Sequence, residues 1–279
     1  IVSMLPSLVP QIVHAVHDPE YFVRESAQFA FQQLAAQCYP TILYHHMTII
    51  PVIICGLDDC MPSVQRLACL HAEHFMEQLQ ADTVAMYLPE MIPKLMSLMT
   101  SPCMDARLVA IGATGPIAAA ALEHFLPYLQ ACITILTDNL AACDSQQWLL
   151  KGVSLEVLGQ YAFAVGQQNY TPYFIVVMTS VVTELETNID IDGPVLEYAY
   201  TCISNIAKAM GSHVEFKNYL SIIMPFLTRS INESNSDNTQ VEALHAIGAL
   251  TRYTLGVFTD YLDDTLDTLG TIVTSENPI

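Results

Sequence analysis

The stretch from Ile49 to Ala68, IIPVIICGLDDCMPSVQRLA, decides the fold. Ile50-Pro51 leads through Ile53, Ile54 and Leu57, one face of a helix at i, i+3, i+4 spacing, to the polar Asp59. A second apolar run follows, with Val64 and Ala68 as its inward positions. The pattern recurs. Val9-Pro10 leads through Ile12, Val13 and Val16 to Asp18, Ile92-Pro93 through Leu95, Met96 and Met99 to Ser101, and Met224-Pro225 through Leu227 and Ile231 to Glu233. Each time the polar residue stands eight positions after the proline, a residue that bends a helix it interrupts. The second helices align at Val23 and Ala27, Val64 and Ala68, and Ala106 and Ala110, where a small side chain lets two helices approach. From Ala27 to Ala68 is 41 positions and from Ala68 to Ala110 is 42, and Pro10, Pro51 and Pro93 step by the same amounts. Two independent landmarks share one period, within the roughly 40–47 residues of HEAT and armadillo repeats.

The predicted fold is therefore all-α, an α-α superhelix (HEAT-repeat solenoid) forming a single array over 1–279. Extending the register places helix pairs at 3–37, 40–79, 84–122, 124–166, 168–211 and 214–257, with a partial seventh at 258–274. Gly166 and Gly211 stand where helices should stop. The polar breaks Glu184 to Gly193 (ELETNIDIDG) and Asn232 to Asn238 (NESNSDN) are expected as loops, and no segment alternates like a strand. Asp18, Asp59 and Ser101 stand six before Arg24, Gln65 and Arg107. An Asp–Arg ladder between repeats would use these positions and is complete only in the first.

Hydrophobic residues make up 52% and charged residues 13%, with a mean hydropathy of +0.38, which excludes disorder and supplies a large core. The apolar runs read as the longest, Ile49 to Leu57 and Tyr173 to Val182, fall short of the roughly 20 residues a spanning helix needs, so the reading is a soluble chain without membrane insertion. It opens and closes on apolar pattern, as a fragment of a longer protein would. Nine Lys and Arg face 28 Asp and Glu, a formal net charge of −19. That balance excludes a nucleic-acid surface and favours basic partners. The eight cysteines form no CxxC pair, as expected of a reducing compartment.

No nucleotide, zinc-protease or hydrolase motif occurs, so the chain reads as no enzyme, with no cofactor. His45-His46, and His71 with His74 near Glu73 and Glu77, are the metal candidates, but a structural or solvated histidine is the simpler reading and no metal site is assigned. Trp148, beside Gln147, either covers a repeat junction or stands exposed to hold the stems of basic side chains. The acidic loop Glu184, Glu186, Asp190 and Asp192 is either a solvated connection or a contact for basic cargo. Polar positions of the second helices expected to face a cargo are Gln28, Gln32, Glu73, Glu77, Gln147, Trp148, Glu197 and Glu242.

The stretch Val16-His17-Asp18-Pro19-Glu20-Tyr21-Phe22-Val23-Arg24, with Gly56-Leu57-Asp58-Asp59 and Pro62-Ser63-Val64-Gln65, resembles the middle HEAT repeats of karyopherin-β (importin-β) nuclear transport receptors. The importin beta-3 (importin-5/Kap121) branch is the most similar. Gly152 to Tyr170 (GVSLEVLGQYAFAVGQQNY) resembles a second helix of that branch, Glu184 to Asp192 its acidic insertion, and Leu196 to Leu220 the turn that follows. The resemblance implies binding of basic localisation signals on a concave face lined by second helices. In the full-length protein it implies release by the GTP form of the Ran GTPase, contact with nucleoporins, and shuttling between cytoplasm and nucleus. The long acidic loop of such receptors is replaced here by the short NESNSDN, and their N-terminal Ran-binding repeats are not matched. A non-transport scaffold like that of phosphatase complexes is the alternative, but such scaffolds keep a repeat near 39 residues. A tubulin-binding array would need basic loops, of which the chain has almost none.

Overall fold

A computed structural model describes residues 2–187, 192–211, 213–263, 265–267 and 270. Among them the chain is helical throughout, with no strand. It divides into two compact units, Ile1–Ile135 and Leu136–Ile279.

The first unit runs α1 (Leu5–Ala15), α2 (Tyr21–Gln37), α3 (His46–Leu57), α4 (Pro62–Met76), the short α5 (Ala81–Ala85), α6 (Leu88–Met99) and α7 (Met104–Ala121). Helix α8 (Leu126–Ala142) carries the boundary between units. The first helices α1, α3 and α6 contain Pro10, Pro51 and Pro93 and pack in sequence, α1 on α3 and α3 on α6. The second helices do the same, α2 on α4 and α4 on α7. Ala27, Ala68 and Ala110 are buried at that seam. Close approach is also written into Gly56: a Cβ there would lie 2.5 Å from Gln28 Nε2 and 2.8 Å from Ala68 Cβ.

The turn between paired helices explains the recurring polar residue. Asp18 and Asp59 each accept the backbone N–H two residues on, from Glu20 and Met61, at 2.9 Å. Ser101 accepts that of Cys103 at 3.2 Å. Six residues beyond, a long side chain reaches back to the turn's carbonyl: Arg24 Nη1 to Asp18 O at 3.0 Å, Gln65 Nε2 to Asp59 O at 2.6 Å, Arg107 Nε to Ser101 O at 2.8 Å. Arg and Gln both serve because each offers a planar N–H at the right length. These bonds are an addition to the expected ladder, a side chain on a carbonyl within each repeat. The Asp–Arg rung itself joins neighbouring repeats as expected, Arg24 Nε and Nη2 donating to Asp59 at 2.6 and 2.8 Å.

In the second unit α9 (Trp148–Thr187) is broken at Gly166, whose φ of +73° suits glycine, into limbs 148–165 and 167–187. The limbs fold back on each other. Tyr170 Oη donates to Leu158 O at 2.9 Å, and Lys151 Nζ meets both oxygens of Glu184 at 3.0 Å. Helices α10 (Pro194–Met210), α11 (Phe216–Glu233) and α12 (Asp237–Tyr253) follow, then a 3₁₀ segment Leu255–Tyr261. Helix α10 packs on α9 and α12, and α11 on α12. The turn device recurs one residue later than expected, at Ser234 and not Glu233. Ser234 Oγ accepts Ser236 N at 3.1 Å, and Gln240 Nε2 reaches Ser234 O at 2.7 Å. Glu233 is the end of α11, paired with Arg229 one turn back at 3.0 Å.

Both expected loops shrink. Helix α9 runs on to Thr187, so Glu184 and Glu186 are helical, and residues 188–191 lie outside the described part. Of Asn232 to Asn238, residues 234–236 alone separate α11 from α12, because Ser236 caps α12 by accepting Thr239 N at 3.3 Å. Of the helix expected at 258–274, residues 264, 268, 269 and 271–274 also lie outside the described part. By length and composition the stretch Met104–Ala142 is apolar enough to cross a membrane, with a mean hydropathy of 1.4 in its most apolar window. It is α7 and α8 with a 3₁₀ turn between them, and the face of α7 carrying Ala110, Ile111, Ala113 and Ile117 is buried.

Candidate functional site

The polar residues of the second helices divide into those that hold the repeats together and those that line open grooves. Gln28 belongs to the first kind, a correction to its expected place on a cargo face. It is fully buried, donating Nε2 to Val52 O of α3 at 3.0 Å while its Oε1 lies 3.4 Å from His71 Nδ1 of α4. His71 is buried with it, stacked on Phe31 at 6.0 Å and edge-on to Phe75 at 5.9 Å. Burial pushes the His71 pKa down to about 3, so the ring is neutral. Its Nε2 finds no partner among the described residues. His74, three residues on, faces solvent, so the two rings do not converge. His46 donates to or accepts from Tyr87 Oη at 2.8 Å.

Gln32 and Glu77 come together. They line a groove of about 480 Å³ between the C-terminal ends of α2 and α4, with Gln33, His74, Gln78 and Tyr39 around a floor that includes Phe75 and Ile42. Glu77 is exposed and accepts Gln78 Nε2 at 3.1 Å. Glu73, one turn before it, is half-buried, and burial, with the Glu77 charge adding to it, raises its pKa above the usual carboxylate value. The groove presents an apolar floor for an aliphatic stem and amide and carboxylate oxygens at its edge for a cation.

A second groove, about 400 Å³, lies between α10 and α12. Glu242 lines it, with Thr201, Asn205, Lys208, His245 and Arg252. Glu242 accepts Thr201 Oγ1 at 3.1 Å and stands 3.5 Å from His245 Nδ1. Glu197 is not in this groove. Its Oε1 lies 3.3 Å from Ser236 Oγ and 3.4 Å from Thr239 Oγ1, where it ties α10 to the start of α12.

Gln147 and Trp148 sit together at the start of α9. Gln147 completes a capping box with Asp144, each bonding the other's backbone N–H, at 3.3 and 3.2 Å. Trp148 is 40% exposed, an accessible aromatic. The acidic group disperses. Glu184 is buried with Lys151 between the limbs of α9, because its register faces the hairpin interior, so it is no surface contact. Glu186 is exposed on the helix, and Asp190 lies outside the described residues. Asp192 accepts Ser234 Oγ at 2.6 Å and Asn235 N at 2.7 Å, which holds its pKa below the ordinary value. Sequence reasoning passed over Tyr39, Gln78, Asn205, Lys208 and Arg252 as groove residues. The signal available was position: all lie at or just beyond the last two turns of a second helix.

A HEAT-repeat family model matches residues 8–38, covering most of α1, its turn and α2. The stacked helix pairs define an α-solenoid. In sequence the chain is similar to importin β subunits. It is 28% identical over 236 residues to the probable importin subunit beta-4 of Schizosaccharomyces pombe, a match that covers 84% of this chain and 22% of that protein. To importin subunit beta-3 of Saccharomyces cerevisiae it is 23% identical over 227 residues, covering 81% and 21%. The chain thus spans about a fifth of the length of these relatives. Its fold is that of Kap121p: the crystal structures of Kap121p bound to Pho4p and bound to Nup53p superpose with TM-scores of 0.82 and 0.80 at 19% identity, covering 96% of this chain and 29% and 28% of theirs.

Proposed function

We propose that this chain is the cargo-gripping part of a nuclear import receptor and binds basic localisation signals through the second-helix face. The observation that carries the proposal is the groove in which Gln32 and Glu77 stand over an apolar floor, in a chain of net charge −19 similar in sequence to importin β subunits. A lysine laid there places its stem on Phe75 and its ammonium at Glu77. Glu242 offers a second anionic point, and the exposed ring of Trp148 a surface for another basic stem. Binding is distributed, since exposed carboxylate–cation pairs contribute only ~0.2–1 kcal/mol each. In the whole protein, basic cargo would be released by GTP-bound Ran, nucleoporins would be the partners at the pore, and the receptor would shuttle between cytoplasm and nucleus. That role is binding and not catalysis.

Fluorescence anisotropy with a labelled Lys-rich peptide tests the reading. The expected affinity is micromolar or weaker, falls steeply with added salt, and drops about tenfold in a chain carrying Gln32→Ala, Glu77→Gln and Glu242→Gln with unchanged circular dichroism. Unchanged affinity in that triple variant overturns the proposal.

A further inference from the structure

We infer that the groove between α10 and α12 is bipolar and recognises a mixed-charge peptide segment, with a basic residue at its Thr201–Glu242 end and a carboxylate or phosphate at its Lys208–Arg252 end. The inference rests on the peptide-binding reading above and adds the second charge. Cations are scarce in this chain, and three of the five in the second unit are paired with acids. Lys151 holds Glu184, Lys217 holds Asp260 and Arg229 holds Glu233. Lys208 and Arg252 make no such pair among the described residues, and both line this one groove. Lys208 Nζ reaches only the side-chain oxygen of Asn205, at 3.4 Å, and the Arg252 guanidinium lies 5.5 Å from the centre of the Tyr253 ring. Both heads are exposed and keep donors to spare. The last turn of a helix favours a cation, which accounts for one on each helix. It does not account for both opening into the same groove without an acid paired to either among the described residues.

The opposite end is anionic. The hydrogen bond from Thr201 to Glu242 sets α10 and α12 level at that point. Lys208 lies seven residues further along α10 and Arg252 ten further along α12, so at ~1.5 Å per residue the two poles are about 10–15 Å apart. An extended peptide covers that distance in about three to five residues. Between the poles the floor is Gly248 and Ala249, and nothing lies within 4 Å of where a Gly248 Cβ would be. A peptide backbone can therefore approach α12 closely, with Asn205 beside it to bond its amides.

Four labelled peptides test this on the full chain by anisotropy. They share a lysine and carry, four residues on, Glu, phosphoserine, Ala or Lys. The parent should bind the Glu peptide about threefold, and the phosphoserine peptide about tenfold, more tightly than the Ala peptide, two exposed ion pairs' worth. The Lys peptide should bind no better than the Ala peptide in this groove. In a Lys208→Ala, Arg252→Ala chain the Glu and phosphoserine preferences should vanish while affinity for the Ala peptide stays. A gain with phosphoserine alone assigns the pole to phosphate. Equal affinity for Glu, phosphoserine and Ala peptides, or a preference that survives the double substitution, overturns the bipolar groove and leaves the basic-peptide reading intact. Failure of all four to bind overturns both.

Discussion

Replacing His71 by leucine is predicted to remove a defined part of the chain's acid sensitivity. His71 is fully buried between Phe31 and Phe75, with Gln28 Oε1 as its polar neighbour, and its pKa is lowered to about 3 against an ordinary value near 6.5. The proton therefore prefers the unfolded chain. The stability this ring confers is complete above about pH 6.5 and is lost as pH falls from there towards 3. Between pH 7 and pH 5 the unfolded histidine becomes almost fully protonated and the buried one does not, a loss of about 2 kcal/mol. Leucine has nearly the ring's volume and no titration. It costs about 1–2 kcal/mol at pH 7, chiefly because the Gln28 carbonyl oxygen loses its partner. Native-state hydrogen exchange of α2, α3 and α4 amides reads the effect locally, which suits a solenoid that opens repeat by repeat. The parent should lose about 2 kcal/mol more between pH 7 and pH 5 than His71→Leu. Equal losses in the two chains would refute the assignment of a neutral, acid-sensitive core histidine.

Other consequences follow from the same geometry. Arg24 holds the Asp59 carboxyl below its ordinary range, so their contact is complete above about pH 4 and is lost only as pH falls through that lowered value; Asp59→Asn should speed exchange of α2 and α4 amides at neutral pH and flatten the response below pH 4. Burial raises the Glu73 pKa, so its ionised form costs stability at neutral pH, a cost that disappears as pH falls through the raised value; Glu73→Gln should leave the urea midpoint at pH 7 unchanged or higher, and a clear fall would contradict it. Glu184→Ala strands Lys151 inside the α9 hairpin and should cost about 3 kcal/mol by urea unfolding. Lys151→Met with Glu184→Leu should cost less than either single truncation.

The solenoid was legible because its period is carried by residues that geometry constrains twice over. Pro10, Pro51 and Pro93 each stand inside a first helix, and Ala27, Ala68 and Ala110 permit close contact of the second helices. The turn residue was legible as a polar mark, but its partner was not. Arg24, Gln65, Arg107 and Gln240 share a reach to a carbonyl six residues back, a function that their differing charges hide. Site residues were harder because a helical face has four sides and a polar residue serves on any of them. Gln28 and Gln32 are one turn apart, yet the first is locked against Val52 O and His71 while the second opens into a groove. Glu184 looked like part of an acidic loop because the residues around it are polar. Lys151, its partner, lies 33 positions upstream across a kink that only the three-dimensional path reveals. Lys208 and Arg252 carried no local pattern and become a pair only when α10 and α12 lie side by side.

Placing the bound peptide on the surface tests the central claim most directly. A Lys-rich peptide carrying a photoactivatable cross-linker, bound to the full chain and mapped by mass spectrometry, should attach to the second helices, around Gln32, His74 and Gln78 in the first unit and around Asn205 and Gly248 in the second. Cross-links confined to the first helices α1, α3, α6 and α11, with those two grooves unmarked, would contradict the account.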